Sequence, residues 1–143
     1  MAQPQQKPIP IPSPEARPYW EGCRDHQLRL PYCPSCQRFF FYPRPFCPRC
    51  FGWEIEWRQA SGRGRLYTFA IQYRAWHPAW RDDVPYVTAI VELEEGPRLF
   101  TVLVDVEPDP AKIRCDMPVE VVFEDVSEEI ALPKFRPTDQ AAG

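Results

Sequence analysis

The chain has 143 residues, 44% of them hydrophobic and 14% aromatic, which is ample for one compact domain with a small appendage and short for two full domains. Nineteen prolines against six glycines exclude long helices, and no run approaches the ~20 apolar residues of a membrane span. The net charge of −3 hides an asymmetry: residues 1–81 carry 12 Lys and Arg against 5 Asp and Glu, whereas residues 82–143 carry 5 against 15. That split reads either as compensation across one fold or as a basic face for an anionic ligand or an acidic surface.

Residues 1–14 hold a Pro-Ile-Pro-Ile-Pro stretch and read as an extended arm, disordered or laid along a partner. With one Lys and no apolar block, this segment is no secretory signal, so a cytoplasmic location is the default. Residues 15–30 form a helix and lead-in. Pro18 to Gln27 suits a short helix with its proline in the first turn, where a missing amide hydrogen costs little. Tyr19 and Trp20 project together from its start, and Arg24, Asp25 and His26 face water.

Residues 31–52 hold Cys33-Pro34-Ser35-Cys36 and Cys47-Pro48-Arg49-Cys50, two knuckles separated by ten residues. Each lets two thiolates converge while turn amides point at sulfur, and two knuckles together make a closed tetrahedral S₄ site that stabilises the fold without activating water. In a cytosolic chain, six cysteines favour metal over disulfides. Iron also suits S₄ geometry. Zinc is preferred because Gln37 and Phe51 replace the glycine that often follows each knuckle. Cys23 and Cys115 stand alone and read as small core residues. Phe39, Phe40, Phe41 and Tyr42 exceed what a ribbon this small can bury, so part of that set packs on the barrel or a partner.

From residue 53 to 137 the period changes to two. Trp53 to Ala60, the set Tyr67, Phe69, Ile71 and Tyr73, the set Val87, Ala89, Val91 and Leu93, the set Phe100, Val102, Val104 and Val106, and the set Val119, Val121 and Phe123 give about five half-buried strands, as in an OB-type barrel. Turns fall at Ser61-Gly62, Glu95-Gly96-Pro97 and Pro108-Asp109-Pro110. The fold class is therefore mainly β: a short N-terminal helix, a rubredoxin-like zinc ribbon and a C-terminal OB-fold, with residues 138–143 as a tail. One long loop, Arg74 to Pro85, carries Trp76 and Trp80, which are costly to leave in water and so fold back or meet a ligand or partner. His77 has no second titratable group at fixed spacing to make it an acid or base, and Asp82-Asp83 reads as a solvated turn. Catalytic residues: none can be placed.

The order of parts is specific: a Tyr-Trp-Glu helix, an L-x-L lead-in, the two knuckles around an aromatic and Pro-Arg segment, Ser-Gly-Arg-Gly, Pro-Tyr-Val, Met-Pro-Val-Glu-Val-Val-Phe-Glu and Leu-Pro-x-Phe-Arg-Pro. Over residues 15–137 the chain resembles the OB-fold and rubredoxin-like zinc-ribbon family of acyl-CoA-associated accessory proteins, the domain-of-unknown-function family numbered thirty-five. The resemblance implies a structural zinc on Cys33, Cys36, Cys47 and Cys50. It also implies a non-catalytic subunit that organises a thiolase-fold enzyme (thiolase, acyltransferase or retro-aldol lyase) as a hetero-oligomer, with a CoA thioester as the shared substrate. A hot-dog-fold acyl-CoA hydratase is the alternative partner. Contacts to partner or CoA are expected from Tyr19, Trp20, Arg74, Trp76, His77, Trp80 and Tyr86. A different class, a single-stranded nucleic-acid module, would draw on Arg58, Arg63, Arg65, Arg74 and Arg81 interleaved with Tyr67, Tyr73 and Trp76. The −10 balance of the second half and a pI near 5.4 weigh against nucleic acid, and membrane contact is not expected.

Overall fold

A computed structural model describes residues 6–138. A 3₁₀ turn at Pro14–Ala16 leads into helix α1 (Arg17–Arg24), shorter than the expected span, with its proline in the first turn. Tyr19, Gly22 and Cys23 form its buried face, the i, i+3, i+4 spacing of a helix packed on one side. His26 lies beyond the helix with φ 58°, so it is a left-handed terminating residue and not a helical one. Its ring stacks on Phe123 at 5.3 Å, and its Nε2 lies 2.8 Å from an Asp125 carboxylate oxygen.

Three short strands form the ribbon sheet in the order β2-β1-β3: β1 (Arg29–Cys33), β2 (Arg38–Phe39) and β3 (Glu56–Gln59). Residues 53–60 were expected in the barrel, and β3 corrects this. It pairs with β1 from Arg29↔Gln59 to Tyr32↔Glu56, and the Arg58 guanidinium lies 3.7 Å from the Tyr32 ring centroid.

The barrel begins at β4 (Arg63–Gln72) and continues through β5 (Tyr86–Leu93), β6 (Arg98–Leu103), β7 (Pro118–Asp125) and β8 (Ala131–Pro137), closed in the order β4-β5-β6-β8-β7. The fifth strand is thus the Leu-Pro-x-Phe-Arg-Pro segment, whose Phe135 is fully buried. Ser-Gly-Arg-Gly has a physical reason here. Gly62 turns at φ +78°, and a Cβ on Gly64 would stand 2.4 Å from the Glu92 carbonyl oxygen, a clash of backbone against backbone.

β5 alternates as expected, with Val87, Ala89, Val91 and Leu93 inside. β6 runs in the opposite phase to the expected one: Leu99, Thr101 and Leu103 are buried, and Phe100 is 76% exposed. Register explains it. Thr101 lies opposite Ala89 and Phe100 opposite Ile90, so a slip of one residue would turn the whole strand over. The Thr101 hydroxyl accepts burial by donating to the Pro133 carbonyl at 3.0 Å. Tyr67 also departs from its expected inward place. It is the extra residue between the pairs Leu66↔Val91 and Thr68↔Ile90, 44% exposed, with the Arg98 guanidinium 3.8 Å from its ring centroid.

One core joins the parts: Tyr19, Cys23, Leu28 and Leu30 belong to the same cluster as Leu66, Val91, Val119 and Phe135. Phe39 and Phe41 pack against it, so the surplus of aromatics between the knuckles is partly absorbed as anticipated. Cys23 is buried, whereas Cys115 is exposed and not a core residue. From residue 6 the arm runs over its own chain. Ile9 to Pro12 share a cavity of about 470 Å³ with Trp20, and Lys7 ion-pairs with Asp83. Residues 1–5 of the arm and 139–143 of the tail lie outside the described residues.

Candidate metal centre and exposed aromatic surface

The two knuckles bring all four sulfurs of Cys33, Cys36, Cys47 and Cys50 within 4.8 Å of one another. Cys33 Sγ lies 3.6 Å from Cys50 Sγ, and Cys36 Sγ lies 3.8 Å from Cys47 Sγ. A tetrahedral ion with metal–sulfur bonds of ~2.3 Å separates its sulfurs by ~3.8 Å, which these two distances match, so the donor set suits such an ion. Four thiolates fill the tetrahedron and leave no position for water or substrate. Backbone amides converge on the sulfurs: Cys36 N–H donates to Cys33 Sγ and Arg49 N–H to Cys47 Sγ, each at 3.4 Å. The Cys47 thiol is held down at about 6, chiefly by backbone donation from Cys50, with Arg49 adding to it against the cost of burial. Cys36 is pushed up to about 12, first by its hydrogen bond with Cys50 and then by burial and the other sulfurs. Cys47 thus gives up its proton more readily than Cys36, and metal binding would draw the remaining protons off the set.

Gln37 and Phe51 sit at φ 54° and 60°, in the left-handed region a glycine would occupy without strain. The knuckle geometry is therefore kept despite the missing glycines. Left-handed strain of ~1–2 kcal/mol exceeds the ~0.5–1 kcal/mol entropic cost of a glycine. We expect Gln37→Gly to stabilise the metal-loaded protein by roughly 0.5 kcal/mol in a urea melt. A destabilised variant would show that the Gln37 side chain contributes more than its backbone strain costs.

The residues expected at a partner or CoA surface divide into groups. Tyr19 is 4% exposed, with Trp20 and Phe41 ring centroids at 5.1 and 5.2 Å, so it is a core residue and presents no surface. Trp20 is half-buried against the core and faces the arm. Arg74 and Trp76 stand together on the loop after β4, guanidinium 5.6 Å from the ring, and Trp76 is 81% exposed. His77 is exposed and spends its Nδ1 accepting from Ala79 N–H at 3.1 Å, capping the 3₁₀ turn Pro78–Trp80. Trp80 folds back: its ring meets His77 at 5.5 Å, Lys7 lies 5.7 Å from it, and with Tyr86 it lines a cavity of about 360 Å³. Asp82 and Asp83 are exposed, as expected.

Sequence reasoning missed three further exposed rings. Phe51 and Trp53 flank the second knuckle, 66% and 72% exposed, each within about 6 Å of Phe46, and Phe100 lies on the barrel wall. The first two follow directly on Cys50 in a segment too short to form a core, which was the available signal. Part of the charge asymmetry closes within the fold, where Arg63 and Arg65 of the basic half meet acids of the second half. Arg63 pairs with Glu94, Arg65 with Glu92 and Asp116, and Arg58 with Glu56.

Residues 20–56 match the family model of the ChsH2 rubredoxin-like zinc ribbon domain, and residues 57–124 match that of the ChsH2 C-terminal OB-fold domain. The chain is 39% identical over 98 residues to a DUF35 domain-containing scaffold protein of Methanothermobacter thermautotrophicus, covering 68% of this chain and 71% of that protein. It is 36% identical to a probable enoyl-CoA hydratase alpha subunit of Thermomonospora curvata, covering 83% of this chain but only 36% of that longer protein. Against the benzoylsuccinyl-CoA thiolase subunit BbsA of Thauera aromatica it is 30% identical, covering 79% of this chain and 69% of that protein. A solved Ltp2-ChsH2(DUF35) aldolase contains a chain that superposes with a TM-score of 0.78 at 34% identity, covering 90% of this chain and 98% of that one.

Proposed function

From the premise that this chain belongs to the DUF35 family of ChsH2-type zinc-ribbon and OB-fold proteins, we propose that it is a non-catalytic subunit that organises a thiolase-type acyl-CoA enzyme. The observation that carries this is the allocation of its chemistry. The clustered donors form a closed structural site, while Trp76 stands 81% exposed beside Arg74 on a loop leaving the barrel. A large ring left in water next to a guanidinium is the composition of an interface anchor. The relatives named as a scaffold protein and a thiolase subunit, and the aldolase structure, support the same reading. The metal of the ribbon is zinc, with iron as the alternative that elemental analysis decides.

Arg74 and Trp76 also offer a cation and a ring face to the phosphates and adenine of a CoA thioester at the seam between the subunits. A hydratase partner is the second reading, favoured by the longer relative named a hydratase alpha subunit. Nucleic-acid binding is disfavoured because Arg58, Arg63 and Arg65, which it would need, are paired with carboxylates.

The test is co-expression of the full chain with a thiolase-type subunit, followed by co-purification. We expect Trp76→Ala to leave metal content and melting unchanged and to weaken assembly by ~2 kcal/mol or more. Complex activity should then recover as subunit concentration rises. Retention by a hydratase and not by the thiolase-type subunit would favour the second reading. Assembly indifferent to Trp76→Ala would remove the ring from the interface.

A further inference from the structure

We propose that the free edge of β4 from Tyr67 to Gln72, continued by Tyr73 just past the strand, is a seam on which a second copy of this chain pairs antiparallel about Ala70. On one side β4 pairs with β5 along its whole length. On the other it pairs with β7 only through Arg63–Arg65, and Leu66 makes the last backbone bonds, to Met117 and Asp116. The bulge at Tyr67 marks where β4 leaves its neighbour. Beyond it, among the described residues, no strand pairs with this edge. An edge of this length presents a row of unpaired backbone donors and acceptors, and proteins ordinarily blunt such edges with charge, proline or a bulge. The bulge at Tyr67 lies at one end of the segment, and from Thr68 to Tyr73 there is no bulge, charged residue or proline.

The segment is also its own complement. Turned about Ala70, Tyr67 falls opposite Tyr73 of the second copy, Thr68 opposite Gln72 and Phe69 opposite Ile71. Tyrosine therefore meets tyrosine, polar meets polar and apolar meets apolar, a pattern compatible with a two-fold contact and favoured in cross-strand pairs. Thr68 and Ala70 are exposed on the outer face, while Phe69 and Ile71 pack inward on the core. The faces match in both copies, and neither copy has to turn a polar residue inside. The first charged residues outside the segment, Arg65 and Arg74, fall opposite Ala75 and Leu66, so no like charges meet. Tyr67 and Tyr73, 44% and 66% exposed, would be covered twice over, once at each end of the seam. The pairing requires no other protein and would join two accessory subunits through one continuous sheet.

Sedimentation of the full metal-loaded chain is expected to show a species of twice 16.8 kDa. Ala70→Lys sets two ammonium groups facing each other across the two-fold, and should raise the dimer dissociation constant about tenfold or more with metal content and melting unchanged. A second variant guards against misfolding. Ala70→Cys in a Cys115→Ser background should form an intermolecular disulfide on mild oxidation, because directly opposed residues of antiparallel strands lie ~4.5–5.5 Å apart, within disulfide range. A chain that stays monomeric at its solubility limit would overturn the proposal, as would a dimer indifferent to Ala70→Lys and without the crosslink. Crosslinking of Ala70→Cys to a co-expressed thiolase-type subunit, with no crosslinked dimer of the chain, would assign the edge to that partner and overturn it equally.

Discussion

Cys47→Ser is expected to release the metal and unfold the ribbon, the largest effect of any single substitution considered. Serine supplies no thiolate, and backbone amides already favour the thiolate form of Cys47. A structural zinc contributes on the order of 10 kcal/mol of folding free energy, comparable with the whole stability of a domain at ~5–15 kcal/mol. The loss should not stay local. Leu28 and Leu30 stand in the same core as Val119 and Phe135, so a β1 strand released from the site would open the barrel wall it covers. Elemental analysis should give one zinc per wild-type chain and essentially none in the variant, with the melting transition lost or broadened. Iron as the main metal would show as a coloured protein and would displace zinc from the reading. A metal-free variant that melts like the wild type would remove the structural role altogether.

What was legible in advance follows the range of the interactions concerned. The knuckles were readable because two residues of spacing decide whether two sulfurs can converge, and that geometry survives even with Gln37 and Phe51 in place of glycine. β5 was readable because its four inward residues alternate without exception, and the turn after it because Gly96 adopts φ +114°. β6 was not, because apolar content favours the wrong phase: Phe100, Val102 and Val104 outweigh Leu99, Thr101 and Leu103, yet the latter three are buried. The choice rests on the bond from Thr101 to Pro133, a residue 32 positions away. The allegiance of β3 was hidden for the same reason, since pairing with β1 or with the barrel is decided by non-local contacts. The closed donor set was thus visible in the sequence, whereas the exposed surface was visible only in outline. Trp76 and Trp80 look alike in sequence, yet one stands in solvent and the other folds onto His77 and Lys7.

Tyr19→Ala is expected to cost ~3–5 kcal/mol of fold stability, as large-to-small changes at buried aromatics do. The ring is 4% exposed, touches Trp20 and Phe41, and lies in the cluster that joins helix, ribbon loop and barrel, so the cavity left behind has three rigid walls and little freedom to collapse. The comparison variant Tyr19→Phe keeps the ring and removes only the buried hydroxyl, and should cost ~1 kcal/mol or less. Alkali offers an independent measure of the same burial. Burial raises the Tyr19 hydroxyl well above its ordinary range and pushes the Cys23 thiol, ordinarily near 9.0, up to about 12. Both groups therefore hold their protons more tightly folded than unfolded. Their contribution is fully present below about pH 9 and is lost as pH climbs through the window above it, because the unfolded chain releases those protons first. Urea melts of wild type and Tyr19→Phe between neutral pH and the alkaline limit of the protein should show the wild type falling more steeply. If Tyr19→Ala instead melted like the wild type and lost only its assembly with a thiolase-type subunit, the ring would belong to the partner surface and the packing account of α1 would fail.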